Sequence, residues 1–237
     1  MGKYEVTQEL YEKVMTGQSI NGSGLNATPS HCQEGKIASG ENQLQRPVEC
    51  ISWYDAIYFC NVLSKKSGYT EVYTITDIVV TSGHITSATV TVNSNADGYR
   101  LPNGAEWEFA ARGGDPSEAD WNYMFSGAQG EENVAYDATV NSGINSVGWY
   151  DANIGENIES HQVGKKNPNR LGLFDMTGNV CEWCFDEESS GDGGRLERGG
   201  GWQLDAFIQI VTKKFGVPPA GKDEYWDLGF RIVRSVK

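Results

Sequence analysis

Cysteine and histidine are the side chains in this sequence best suited to metal or redox chemistry. There are five cysteines, an odd count that leaves at least one thiol free in any pairing scheme. Cys181 and Cys184 have the Cys-x-x-Cys spacing of zinc and redox sites, but no second pair accompanies them, so we interpret them as two half-buried thiols. The three histidines, far apart in the sequence, are His31, His84 and His161.

Motifs for other kinds of catalysis are missing. The sequence has no Gly-x-Ser-x-Gly, no P-loop and no Gly-x-Gly-x-x-Gly after a strand. Carboxylate pairs occur at Glu131-Glu132 and Asp223-Glu224, and a solvated charged loop is the default explanation of such pairs. The sequence therefore predicts no catalytic residue.

Hydrophobic periodicity predicts the elements that position these residues. Apolar residues recur at helical spacing over 9–15, with Thr7 as N-cap, and over 53–64; a third helix follows Asn103. β-Branched residues alternate over 72–92 around a glycine turn, which predicts a β-hairpin. A long loop is predicted over 16–45, and short strands over 4–7, 171–174, 180–185, 195–198 and 230–233. We expect one α+β domain over residues 1–237, with a small twisted antiparallel sheet and long irregular loops.

Charge excludes several classes of partner. The formal net charge is −13, and no basic cluster is longer than two residues. Nucleic acid binding needs a cationic surface, and anionic membranes repel an acidic chain, so neither is an expected partner. No apolar run is long enough to cross a bilayer.

Ten ordered segments resemble one family and span almost the whole chain. Two of them are Gly178-Asn179-Val180-Cys181-Glu182-Trp183 and Arg198-Gly199-Gly200-Gly201-Trp202. The others are 4–7, 46–48, 52–56, 99–102, 105–114, 167–169, 171–176 and 228–231. Together they resemble the formylglycine-generating enzyme, or sulfatase-modifying factor, family. This resemblance implies a variant of the C-type lectin fold.

The resemblance also implies where the enzyme's metal would lie. Family members that make formylglycine hold copper between two cysteines, whose matching positions here are Leu204 and Gln209. Neither side chain suits monovalent copper, which prefers thiolate or thioether ligands, so we expect no copper and no formylglycine-generating activity. The alternative, a metal-dependent oxidase or other tailoring enzyme, would need a different metal site.

Calcium is the cofactor that the resemblance favours. Family members bind it near the Gly-Asn-x-x-Glu-Trp motif, and the matching ligands are the side chains of Asp175 and Glu182 with the carbonyls of Gly178 and Val180. Such hard oxygen ligands suit Ca²⁺. The competing interpretation is that Asp175 caps a turn and that Glu182 pairs with a basic group.

Residues 203–227 join two family motifs but depart widely from the family between them. Their aromatic, aliphatic and acidic side chains suit a recognition surface. The arrangement is similar to the ligand-binding variable proteins of diversity-generating retroelements, which include a spirochaetal variable lipoprotein. By that resemblance Ala206, 211–214, Pro219 and Lys222 are scaffold positions, although Ile210 and Val211 are expected to pack inward whatever the function. The predicted ligand-binding residues are Gln203, Leu204, Asp205, Phe207, Ile208, Phe215, Val217, Asp223, Glu224, Tyr225 and Trp226.

These features predict a non-catalytic, monomeric binding protein for a protein or other macromolecular ligand. An acidic, tryptophan-rich domain without a basic face fits the cell surface. We expect a lipid anchor attached through an N-terminal signal that precedes this sequence.

Overall fold

The computed structural model describes most of the chain. The described residues are 1–32, 37–129, 142–156, 159–188, 193–221 and 226–235.

Local sequence signals determine where the helices begin. Thr7, Ser52 and Asn103 each accept a hydrogen bond from the backbone N–H three residues later. Ser52 and Asn103 form capping boxes, in which an acidic side chain bonds back to the cap residue. These caps confirm the three predicted helices. The helices are α1 (Gln8–Met15), α2 (Trp53–Lys66), α3 (Gly104–Ala111) and α4 (Ser142–Val147).

Four small sheets accompany the helices in the described residues. Their strands are β1 (Ser19–Ile20), β2 (Ser23–Gly24), β3 (Tyr73–Thr81), β4 (His84–Val92), β5 (Tyr99–Arg100), β6 (Cys181–Glu187), β7 (Arg195–Arg198), β8 (Phe215–Val217), β9 (Leu228–Gly229) and β10 (Val233–Arg234). The largest sheet has the order β8-β7-β6-β9, and β9 pairs with β6 in parallel although the other pairs are antiparallel. The β3–β4 hairpin confirms the prediction for 72–92. This arrangement is the α+β fold that the sequence predicts.

Buried tryptophans link the helices to the central sheet. The indole N–H of Trp53 donates to the carbonyl of Cys184 at 2.9 Å, and that of Trp183 donates to the carbonyl of Ile51 at 3.1 Å. Both rings, like that of Trp107, are fully buried. Packing is therefore the role of these three tryptophans, because each fills the core and also satisfies its one donor.

Three of the predicted strands differ from the structure. Residues 171–174 form an irregular loop that begins with a turn, because the side chain of Asn169 accepts hydrogen bonds from the backbone N–H groups of Leu171 and Leu173. Residues 4–7 contribute only an isolated bridge from Thr7 to Pro47. The strand predicted over 230–233 is replaced by β9 and β10 on either side of Phe230, which is fully buried in the core.

No helix in the described residues has the length and hydrophobicity needed to span a membrane.

Candidate ligand-binding site

Segment 203–227 begins at a glycine turn that leaves no room for side chains. Gly199 has a φ of 90°, which favours glycine. A Cβ on Gly201 would lie 1.9 Å from Oδ2 of Asp227. Trp202 follows, and its backbone N–H donates to the carbonyl of Asn179 at 2.9 Å. The end of the segment thus packs against its start, and both are attached to the central sheet.

Gln209 closes the first loop of the segment from within. Its side chain is fully buried, and its Nε2 donates to the carbonyl of Gly201 at 2.9 Å and to that of Leu204 at 3.3 Å. Leu204 is half-buried against the main core. The two positions that the resemblance assigns to copper ligands therefore hold a loop-closing amide and a packing aliphatic side chain.

Several predicted contact residues do reach the surface. Gln203 is exposed, as are Phe215 and Trp226, with exposed fractions of 40% and 46%. Asp205, Phe207 and Ile208 are half-buried. Oδ1 of Asp205 accepts the backbone N–H of Phe207 at 2.9 Å, which fixes the main chain at Phe207. The loop therefore presents a partly fixed aromatic and acidic surface.

The structure corrects one predicted contact and places the scaffold positions. Val217 is only 2% exposed and belongs to the main core through β8, so it is unavailable to a ligand. Ala206 and Val211 are buried in two smaller clusters, and Ile210 packs against the first of these, as expected of inward-facing residues. Lys213, one of the predicted scaffold positions, also contacts a predicted ligand-binding residue. Its Nζ lies 3.6 Å from the ring centroid of Phe207, a cation–π contact.

Four predicted positions lie outside the described residues. They are the contact residues Asp223, Glu224 and Tyr225 and the scaffold residue Lys222.

Two residues from distant loops join this surface. His31 stacks on Trp226, with ring centroids 4.7 Å apart and an interplanar angle of 23°. The backbone N–H of Asp151 donates to the carbonyl of Leu204 at 3.2 Å, and the charge of Asp205 is one cause that raises the pKa of Asp151, after burial. Sequence analysis missed both residues, because they lie in aperiodic loops and nothing local connects them to the segment.

A pair of buried carboxylates underlies the segment. Burial raises the pKa of Asp227 to about 6, although a hydrogen bond with Gln203 opposes the shift. Burial and the charge of Asp227 raise the pKa of Glu197, on β7, to about 8. Protonation of these groups therefore relieves unfavourable buried charge.

The predicted calcium ligands fit a cation only in part. Oδ1 of Asp175 is buried and has no hydrogen-bond partner, while Oδ2 accepts the backbone N–H of Gly164 at 2.7 Å. Glu182 does not fit, because both of its oxygens accept N–H groups, from Arg231 at 2.7 Å and from Trp107 at 2.7 Å. The basic-group interpretation of Glu182 is therefore the one observed, and calcium stays a proposal that depends on Asp175.

The backbone of this loop is tightly constrained. Asp175 has a φ of 55° and Gly178 a φ of 74°. A Cβ on Gly178 would lie 2.1 Å from the carbonyl oxygen of Trp149, so only glycine fits. Val180 donates its backbone N–H to Oε1 of Glu5 at 3.1 Å. The carbonyls of Gly178 and Val180 therefore have fixed positions on which the proposed calcium would depend.

The cysteines and histidines do not assemble into a metal centre in the described residues. Cys181 and Cys184 are fully buried, which corrects the half-buried prediction, and they belong to two different core clusters. Burial raises the pKa of both thiols well above the ordinary value, so they remain protonated and unreactive. His84 and His161 each contact a separate carboxylate, Asp55 at 2.8 Å and Glu41 at 2.9 Å.

Comparison with known proteins identifies the family of this chain. The family described as "Sulfatase-modifying factor enzyme 1-like domain" matches residues 1–236. This protein belongs to that family. Over 261 residues the chain is 34% identical to "Chaperone protein LppX" of Paenibacillus barcinonensis, covering 99% of this chain and 79% of that protein.

A solved structure of a variable protein has the same architecture. The structure titled "Treponema denticola variable protein 1" is 33% identical, with a TM-score of 0.74, and the match covers 98% of this chain and 82% of that chain. The resemblance to variable proteins thus holds at the level of the fold as well as the sequence.

Relatives named as an enzyme and as an inactive enzyme are both more distant. The formylglycine-generating enzyme of Mycobacterium tuberculosis is 34% identical over 91 residues, 38% of this chain and 28% of that protein. "Inactive C-alpha-formylglycine-generating enzyme 2" of Mus musculus is 28% identical over 146 residues, 58% of this chain and 44% of that protein. The family therefore includes both catalytic and non-catalytic members.

Calcium binding at Asp175 can be tested by thermal melting. Saturating Ca²⁺ should raise the melting temperature above that measured in EDTA, because the ion would satisfy the open carboxylate oxygen. Asp175→Asn should abolish the difference, whereas Asp77→Asn, at an exposed aspartate, should preserve it. Equal melting temperatures of the wild type in Ca²⁺ and EDTA would eliminate the site.

The buried carboxylates predict that stability rises as the pH falls from 9 to about 6. Glu197 and Asp227 bind protons more tightly in the folded chain than in the unfolded chain, whose carboxyl pKa values are about 4. Their contribution is therefore complete below pH of about 4 and is lost as the pH rises through about 6 and then about 8. Urea unfolding at several pH values measures this slope.

A matched pair of variants assigns that slope. Glu197→Gln should flatten the upper part of the profile, because the amide does not ionise, and Glu71→Gln, at an exposed glutamate, should leave it unchanged. If the stability of the wild type decreases when the pH is lowered from 8 to 6, the assignment is wrong.

Proposed function

We propose that this protein is a non-catalytic ligand-binding protein whose C-terminal segment, 203–227, forms the binding surface. The observation that carries the proposal is the state of the two positions assigned to copper ligands. Leu204 packs against the core and the amide of Gln209 closes the loop on two carbonyl groups. A copper-dependent oxidation has no thiolate ligand at either position, and the loop is stabilised by the residues that replace them.

The composition of the surface supports a broad contact with a macromolecule. Trp226 and Phe215 are exposed rings, Phe207 is a half-exposed ring, and Asp205 is a carboxylate beside them. Aromatic side chains provide large contact areas at low entropic cost, and carboxylates orient the partner. A protein or other macromolecular ligand fits this surface, and nucleic acid does not, because the net charge is −13.

Diversification of the segment is part of the proposal. Gly201, Asp227 and Gln209 tie the segment to itself and to the sheet, so that exposed positions can change without altering the support. The similarity to the Treponema denticola variable protein 1 supports this division between scaffold and variable positions.

We further propose that the protein acts outside the cytoplasm, tethered by a lipid anchor. The acidic surface and the similarity to a variable protein support this location, as does the similarity to the protein named LppX. In this setting the binding surface would face ligands outside the cell.

Binding should map to the exposed rings of the segment. A Phe215→Ala/Trp226→Ala variant should lose its partner in a pull-down, because truncating central aromatic anchors commonly costs about 2 kcal/mol or more of binding energy. Its melting temperature should stay near that of the wild type, since exposed substitutions change stability by roughly 0.5 kcal/mol or less.

The control is Phe109→Ala/Leu171→Ala. These side chains are 48% and 52% exposed, similar to Trp226, and lie outside the segment. The control should retain the partner. If instead the control loses the partner and the first variant keeps it, the binding surface lies elsewhere on the protein.

Copper-dependent activity should be absent. Incubation with Cu(I), oxygen and a cysteine-containing sulfatase peptide should yield no aldehyde above a metal-only control, because positions 204 and 209 hold no thiolate. Mass spectrometry of the peptide measures the product. Turnover above the control would favour the alternative, a metal-dependent oxidase.

A further inference from the structure

The β3–β4 hairpin has an outer edge whose backbone groups are only partly paired. Asn93 donates its backbone N–H to the carbonyl of Val72 at 2.8 Å, so Val72 faces β4. The backbone of the next residue, Tyr73, faces away from β4. The side-chain amide of Asn61 pairs with it, accepting its N–H at 3.1 Å and donating to its carbonyl at 2.6 Å. Asn61 therefore replaces one residue of a third strand.

Alternation along β3 leaves the following outward position open. Thr74 pairs with Thr91 across the hairpin, so the N–H and carbonyl of Ile75, like those of Tyr73, point outward. Ile75 lies opposite Val90, and no partner for its outward groups is present in the described residues. The regular register ends after Thr76, and Asp77 has a φ of 54°, so an added strand would pair with β3 at Ile75.

A groove of 620 Å³ runs beside this open edge. One wall is β3, with Ile75 and Ile78, and the other is α2, with Tyr58 and Val62. These four side chains are half-buried, so the groove has an apolar floor next to unpaired backbone groups. An extended peptide could pack alternate apolar side chains on this floor while its backbone pairs with β3.

Charge selects among extended peptides. Lys65 and Lys66 both line the groove and are exposed. Glu71 is the acidic side chain among the lining residues. In a chain whose net charge is −13, this local excess of positive charge favours acidic partners.

We propose that the outer edge of β3 is a second binding site, which takes an extended acidic peptide by strand addition next to Asn61. The proposal is independent of the function of segment 203–227. It rests on the open backbone groups of Ile75 and on the lysines of α2.

Ile75→Pro tests the edge without breaking the hairpin. Proline removes the outward N–H of Ile75, which makes no bond to β4, and proline is tolerated at edge positions whose N–H faces outward. Val90→Pro is the matched control. Val90 also has an outward N–H, on the opposite edge of the same hairpin, and like Ile75 it packs partly against the main core.

The probe is a fluorescein-labelled octapeptide that alternates glutamate and valine, and fluorescence anisotropy measures its binding. The wild type and Val90→Pro should bind it, and Ile75→Pro should bind about tenfold more weakly, because one backbone hydrogen bond is lost and the ring blocks the strand. Lys65→Glu/Lys66→Glu should also weaken binding, and an alternating lysine–valine peptide should not bind the wild type.

Several outcomes would overturn the proposal. They are absence of binding to the wild type, equal binding of the acidic and basic peptides, and equal loss in the two proline variants. A dimer of the wild type that Ile75→Pro converts to a monomer in sedimentation equilibrium would make a second copy the occupant instead. If Ile75→Pro unfolds, the wild-type protein is tested with a fully N-methylated glutamate–valine peptide instead. This peptide lacks backbone N–H donors, so it should not bind, and binding equal to that of the unmethylated peptide would contradict strand addition.

Discussion

The buried contact between Arg231 and Glu182 holds the fold together from its centre. Both side chains are fully buried, and the guanidinium donates to Glu182 Oε1 at 2.7 Å. The same guanidinium donates to the carbonyls of Gly2 and Phe174, and Glu182 Oε2 accepts the indole N–H of Trp107. The N-terminus, the loop at Phe174, α3 and β6 therefore converge on one ion pair.

This arrangement also concentrates negative charge in the interior. Glu5 and Asp175 lie near Glu182, and burial raises the pKa of both, to about 6 for Asp175. One guanidinium thus faces three carboxylates. Removing one partner of a buried ion pair typically costs about 3–5 kcal/mol, because the remaining charge is left uncompensated. Protonation reduces this surplus charge, which connects the interior of the fold to pH, and the proposed calcium would reduce it as well.

The candidate binding segment is separated from this centre by its own internal bonds. Gln209 closes the first loop, Asp227 packs on Gly201, and Val217 anchors β8 in the core. Because these contacts support the segment from below, we expect its exposed side chains to contribute little to the stability of the folded state. On the proposed function, this framework is retained while a recognition surface stands where related enzymes have an oxidase centre.

Local signals in the sequence determined the three longer helices, the hairpin and the family, whereas α4 was not predicted. Thr7, Ser52 and Asn103 cap helices through groups three residues away, and the β3–β4 hairpin closes over a two-residue turn at Ser82 and Gly83. Such signals act over a few residues, so the sequence alone reveals them. The absence of cysteine at positions 204 and 209 was likewise readable directly.

Only the tertiary structure decided which side chains are partners and which positions are buried. His31 stacks on Trp226, the guanidinium of Arg231 donates to the carboxylate of Glu182, and the side chain of Val217 is buried in the core. Each outcome depends on segments that are distant in the chain and are brought together by packing. The residues around each of these positions in the sequence do not indicate which distant residue it will contact. The sequence therefore determined the framework and the missing copper ligands, and the packing of distant loops determined the composition of the surface.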